Sequence, residues 1–145
     1  MRTDLLKKEN VQILSGEFTW QEAIRKSAAP LVRGGYVQER YGDEIIKNAK
    51  ELGPYFVLAP GVAMPHARPE QGVNETQLAM TLFREPVAFE GKEKDTKLFI
   101  VLAASDSNKH LDAMALIAEK LGDEEMIEKL CGADSVDTLY KLFTE

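Results

Sequence analysis

The sequence predicts an α/β fold, a three-layer α/β/α sandwich with a mixed central sheet of about five strands. Three observations carry this expectation. The run Leu98–Ala103 is continuously apolar, the pattern of a strand buried on both faces. Shorter apolar or alternating stretches at 10–14, 56–64 (broken at Pro60-Gly61) and 77–84 supply the other strands. Stretches with helical spacing lie between and after them, enough to cover both faces of a sheet.

Taken in order, Asn10 to Leu14 alternates and reads as the first strand. Thr19 followed by Glu22 has the spacing of a capping box, and Ala23, Ile24, Ala28, Leu31 and Val32 continue at helical spacing until Gly34-Gly35. Tyr41 to Asp43 opens a second helix with Ile45, Ile46, Ala49 and Leu52 on one face, and Gly53-Pro54 stops it. Phe56 to Met64 is extended, and Pro65, which has no N–H for a ladder, ends it. Gln77 to Arg84 is a strand that Glu85-Pro86 turns. After the central run, Leu111 to Leu121 is helical, with apolar residues at 111, 114, 117, 118 and 121. Glu124 to Leu130 and Ser135 to Phe143 are two more helices, the latter with Ser135 as its N-cap.

Composition narrows the function. The 145 residues are expected to form one domain, 1–145, and apolar and charged shares of 44% and 29% are those of an ordinary globular protein. A net charge of −6 disfavours nucleic acid and anionic membrane as partners, since both require a basic footprint. The single Cys131 cannot form an internal disulfide, the start of the chain is too charged for a signal peptide, and no apolar run nears the ~20 residues of a membrane span. A cytoplasmic location without direct membrane insertion is expected.

The reactive groups are few. His66 and His110 are the two histidines, and no third ligand stands at metal spacing beside them, so no metal is expected. His66 follows an apolar strand and a proline, which places an imidazole at a sheet edge or crevice. By itself such a residue is either structural or reactive. His110 lies at the head of the Leu111 helix, where free N–H groups favour an anion. Cys131, at a helix end, reads as a small core residue.

The surroundings of His66 decide between its two readings. Glu51, Leu58, Ala59, Val62, Ala63, Met64, Pro65, His66 and Ala67 meet, in one rigid spacing, the phosphorylation-site pattern of a known family. The chain resembles the enzyme IIA domains of the bacterial sugar phosphotransferase system, mannitol/fructose type. The run Gly53–Val73 most resembles the ascorbate-type branch. The resemblance implies that His66 accepts a phosphoryl group from the phosphocarrier HPr and passes it to a IIB component. That component then phosphorylates a sugar or sugar acid, ascorbate-like in this branch, as it crosses the membrane through IIC. It implies no cofactor. It also implies that His110 stabilises the phosphoryl group. Imidazole suits this role, being uncharged near neutral pH and a good leaving group once phosphorylated. Arg68 is a candidate to screen the phosphoryl charge, with Lys50 and Lys109 as further cations. Mannitol-type relatives carry an arginine where this chain has Lys50. Cysteine phosphorylation belongs to IIB, and nothing around Cys131 resembles the loop it needs. Pro60, Val62, Met64 and the Tyr36–Tyr41 loop are candidates for an apolar docking surface. The rival reading is a regulatory phosphohistidine module of the nitrogen-related IIA type, which acts by binding protein partners.

Overall fold

The computed structural model describes residues 5–53 and 55–145. Pro54, expected to help stop the second helix, lies outside the described residues, as does the very start of the chain. Five strands form one sheet in the order β1-β4-β5-β3-β2: β1 Leu6–Leu14, β2 Val57–Ala59, β3 Val62–Ala63, β4 Gln77–Ala88 and β5 Lys94–Ala103. Pairing is mixed. β1 runs parallel to β4 and β3 parallel to β5, whereas β4–β5 and β2–β3 are antiparallel. The helices are α1 Trp20–Arg33, α2 Tyr41–Leu52, α3 Ser107–Leu121, α4 Glu124–Cys131 and α5 Val136–Thr144.

The period of two along β4 and β5 divides the core into two. Phe99, Val101 and Ala103 join Ala79 and Phe83 on the face covered by α1 and α2. Leu98, Ile100 and Leu102 join Leu78, Met80 and Leu82 on the face covered by α3, α4 and α5. The expected three layers result, with Leu98–Ala103 inside the central strand.

Local chemistry starts and stops the helices as the sequence suggests. Thr19 accepts from Glu22 N–H at 3.1 Å while the Glu22 carboxylate accepts from Thr19 N–H at 2.9 Å, a complete capping box. Asp106, Asp123 and Ser135 cap α3, α4 and α5 by the side chain alone, accepting from the N–H of Lys109, Met126 and Thr138. Pro30 sits inside α1 and has no N–H to give the Lys26 carbonyl. Gln12 of β1 fills that gap, donating from Nε2 to Lys26 O at 2.7 Å and to Thr81 Oγ1 at 2.9 Å.

The structure corrects several expectations. β1 begins four residues before Asn10, at Leu6. The stretch 56–64 is a hairpin rather than one broken strand: Gly61, at φ +89°, turns β2 back along β3, and its carbonyl accepts from Lys97 and Leu98 N–H. Glu85-Pro86 does not end β4, because the strand continues to Ala88 with its register shifted between Leu82 and Val87. A bulge leaves residues unpaired, and there proline's missing N–H costs nothing. Leu52 and Leu111, which fit the apolar spacing of their helices, are 69% and 64% exposed. The buried face of α3 is Ala113, Leu116, Ile117 and Leu121. No helix among the described residues is long and apolar enough to cross a membrane.

Candidate phosphoryl-transfer site

His66 sits beside the carboxyl end of the central strand. After β3 the chain runs through Met64 and Pro65, and His66 makes a parallel bridge to Leu102 of β5. Leu102 N–H donates to Pro65 O at 3.0 Å. Four residues beyond β5, helix α3 begins, and its first turn carries His110. Strand ends of this kind form the crevices in which α/β proteins bind ligands. Here the crevice is a cavity of about 250 Å³ whose walls include Asn48, Leu52, Tyr55, His66, Arg68, Ser107 and His110.

Sequence reasoning placed His66, His110 and Arg68 together, and all three line this cavity. The two imidazole rings lie 5.3 Å apart, centroid to centroid, tilted by 56°. Helix α3 starts at Ser107, so His110 is not at its very head. Its N–H is already given to Asp106 O at 3.0 Å, and only its side chain is available to the cavity. Arg68 is at the rim, 64% exposed, with Nε 3.1 Å from Glu70 Oε2. Lys50 and Lys109 are elsewhere. Lys50 lines a separate crevice with Trp20 and Phe89, and Lys109 faces a cleft of about 870 Å³ on the other side of the α3 first turn. That larger cleft contains neither histidine.

The local fold fixes the state of His66. Its Nδ1 lies 2.9 Å from Met64 O, and a carbonyl can only accept, so Nδ1 carries the proton. Nε2 is left with its lone pair. Burial, the largest effect, pushes the imidazole below its ordinary value of 6.5; the bond to Met64 opposes this and the charge of His110 adds to it. The ring is therefore neutral at pH 7. Tyr55 packs edge-on against it at 5.3 Å, and the Tyr55 hydroxyl donates to the His66 carbonyl.

Other supporting residues were not found from sequence. Asn48 and Gln71 are buried and exchange two hydrogen bonds, Asn48 Nδ2 to Gln71 Oε1 at 2.8 Å and Gln71 Nε2 to Asn48 Oδ1 at 3.1 Å. Gln71 Oε1 also accepts from Arg68 N–H at 2.9 Å, which ties the segment after His66 to α2. Tyr41, fully buried, donates to Leu102 O at 2.7 Å and accepts from Ala67 N–H at 3.0 Å. One signal was available: Asn48 is a polar residue on the apolar face of an amphipathic helix.

The apolar surface around the cavity is not the one expected. Val62 and Met64 are 0% and 1% exposed and belong to the core, and Tyr41 is buried. Among the described residues the large exposed apolar ones are Leu52, Tyr55, Val57, Leu58 and Leu111. Leu52 and Tyr55 form the cavity wall, and Leu111 adjoins His110.

Comparison with known proteins agrees with this geometry. Residues 4–145 match the profile of the family described as phosphoenolpyruvate-dependent sugar phosphotransferase system, EIIA 2. The mannitol-specific cryptic phosphotransferase enzyme IIA component of Escherichia coli K12 is 38% identical over 142 residues, covering 98% of this chain and 97% of that protein. The ascorbate-specific EIIA component of the same strain is 34% identical over 132 residues, covering 90% and 86%. Among solved structures, that of the cryptic mannitol enzyme IIA from E. coli superposes with a TM-score of 0.89, at 38% identity and 99% coverage of both chains. The mannitol enzyme IIA in complex with phosphorylated enzyme IIB, also from E. coli, gives 0.80 at 32% identity, covering 96% of this chain and 98% of the other. A nitrogen regulatory IIA protein from Neisseria meningitidis gives 0.76 at 21% identity, with 97% of both chains covered, a likeness of fold alone.

Proposed function

Because the chain belongs to the EIIA 2 family of the phosphoenolpyruvate-dependent sugar phosphotransferase system, we propose that His66 is its phosphoacceptor and Nε2 the attacking atom. Components of this type are phosphotransferases that work through a phosphohistidine and pass the phosphoryl group to a IIB component. The observation that carries the assignment is the bond from Nδ1–H to Met64 O, which leaves a neutral Nε2 in a cavity shared with His110. The donor is the phosphohistidine of HPr. The Nε2 lone pair forms the new P–N bond as the P–N bond of the donor breaks, and the donor imidazole leaves as a neutral base. The phosphorylated His66 ring gains positive charge, which Nδ1–H shares with Met64 O. His110 faces the phosphoryl oxygens as hydrogen-bond donor, and Arg68 screens their charge from the rim. In the second transfer, to IIB, His66 becomes the leaving group. Both partners dock on the apolar surface of Leu52, Tyr55, Val57, Leu58 and Leu111. Brief encounters of this kind use interfaces at the small end of the size range.

The transported molecule is proposed to be a sugar or sugar acid carried through IIC. The run Gly53–Val73 and the 34% relative support an ascorbate-like acid, and the 38% relative supports a mannitol-like polyol. A regulatory role of the nitrogen type rests on likeness of fold alone. The test uses phosphoenolpyruvate, enzyme I and HPr, followed by a panel of purified IIB proteins. Wild type acquires acid-labile phosphate and discharges it to one IIB, whereas His66→Ala acquires none. Normal labelling of His66→Ala rules out the assignment, and labelling without discharge to any IIB favours the regulatory role.

A further inference from the structure

The backbone on either side of His66 is fastened to one residue of the central strand, but by two different means. On the N-terminal side Leu102 N–H donates directly to Pro65 O at 3.0 Å, an ordinary rung of a parallel ladder. The next rung would run from Ala67 N–H to Leu102 O. A side chain stands in that place. Ala67 N–H donates to the Tyr41 hydroxyl at 3.0 Å, and the Tyr41 hydroxyl donates to Leu102 O at 2.7 Å. Tyr41 reaches there from the first residue of α2 and is 0% exposed; Leu102 is equally buried, and Ala67 is 9% exposed.

We propose that Tyr41 is a positioning residue for phosphoryl transfer, its hydroxyl acting as a spacer between Ala67 and Leu102 that holds His66 off the sheet with Nε2 in the cavity. The inference rests on His66 being the phosphoacceptor. Its physical basis is the length of the rung. A direct N–H···O bond spans about 2.9 Å, and two bonds through a hydroxyl span on the order of 1 Å or more beyond that. The ladder is thus opened by one oxygen at the residue that must leave it. Removing the oxygen has two outcomes: a buried N–H and a buried carbonyl lose their partners, or they close on one another and draw His66 towards β5. Either one disturbs the turn that sets Nδ1 against Met64 O. Burial pushes the Tyr41 phenol far above its ordinary value, so the hydroxyl remains a donor at any working pH.

The test compares wild type, Tyr41→Phe and Ile45→Val, the last being a one-methylene deletion one turn along the buried face of α2. Single-turnover phosphorylation is measured against the concentration of phosphorylated HPr, and the His66 ring nitrogens are observed by ¹⁵N NMR in the unphosphorylated proteins. In Tyr41→Phe the saturating rate falls by about 10²-fold, the loss typical of a reacting group misplaced by about 1 Å, with half-saturation unchanged. Its His66 ring becomes a mixture of tautomers, whereas wild type and Ile45→Val hold the proton on Nδ1. A Tyr41→Phe protein with the wild-type rate and a single Nδ1–H tautomer overturns the proposal. If wild-type His66 is not phosphorylated at all, the phosphoacceptor reading fails, and the tautomer comparison still decides the role of Tyr41 in orienting the ring. Should Tyr41→Phe not fold, the wild-type protein supplies a second measurement. A slowly exchanging Tyr41 hydroxyl proton, in through-space contact with the Ala67 amide, is expected, and a rapidly exchanging one overturns the proposal.

Discussion

At His66, one hydrogen bond and one degree of burial set the chemistry. Nδ1–H to Met64 O leaves Nε2 as the nitrogen proposed to attack, and burial keeps that nitrogen unprotonated where free imidazole would be half charged. The rate of phosphorylation should therefore stay level as pH falls from 8 to about 6.5, the ordinary histidine value, and decline only below it. A decline already centred at or above pH 6.5, measured in single-turnover assays, would contradict the lowered value. Stability follows with the same sign. Above about 6.5 the ring is neutral folded and unfolded and contributes no pH dependence. Below that, the unfolded chain takes up a proton that the folded site resists, so this group lowers stability as pH falls through the folded value. His110 has a different role. In the proposed transfer its imidazole, 5.3 Å from that of His66, donates to the phosphoryl oxygens, so His110→Ala should slow transfer by about 10²-fold, as for the loss of one oxyanion donor. Phosphorylation should still reach completion on His66. Unchanged rates both from HPr and to IIB would leave His110 a structural residue.

Among the elements, α1 shows how a local defect is repaired at a distance. Pro30 leaves the Lys26 carbonyl without its helical partner, and Gln12 on the edge strand supplies one. Gln12→Leu removes that solvent-exposed bond and should lower stability by about 0.5–1.5 kcal/mol, read from denaturant midpoints. Transfer should be unaffected, since neither residue lines the cavity. Full stability in Gln12→Leu would mean that water replaces the amide. At α3, Asp106→Ala removes the bond to Lys109 N–H and should cost about 1 kcal/mol, whereas Asp106→Asn, an equally good cap, should restore most of it. Signals of this local kind are why most of the fold was legible: caps at Thr19 and Ser135, glycines at 34 and 35, and an unbroken apolar run for β5. What was not legible depends on partners distant in the chain. Pro86 reads as a stop until β5 is alongside to form a bulge with β4. Leu52 and Leu111 fit helical periodicity, yet they lie where α2 and α3 approach the open cavity and nothing covers them.

For the whole molecule, the sandwich gathers the site from segments far apart in sequence. Asn48 comes from α2, Tyr55 from the connection before β2, His66 and Arg68 from the stretch after β3, and His110 from α3. The motif around His66 could be read because its residues are contiguous. Tyr41 and Gln71 could not, because they meet the site only after α2 packs on the sheet. Charge acts at the same scale. In the proposed transfer from HPr, a net −6 would steer a basic donor surface, so the second-order rate should fall as salt shortens the Debye length from ~10 Å at 0.1 M to ~3 Å at 1 M, with the equilibrium little changed. The acidic residues Glu39, Asp43, Glu70 and Asp106 are not gathered in one place. Glu70 pairs with Arg68 and Asp106 caps α3, while Asp43 pairs with Arg25 and, with Glu39, borders a groove between α1 and α2. A rate independent of salt would make docking apolar and the charge a matter of solubility. The central claim, that Nε2 of His66 carries the phosphoryl group, is tested most directly by NMR of the ¹⁵N-labelled chain after phosphorylation by HPr. Coupling between ³¹P and Nε2 of His66 is predicted, with Nδ1 still protonated. Coupling to Nδ1 of His66, or to either nitrogen of His110, would contradict it.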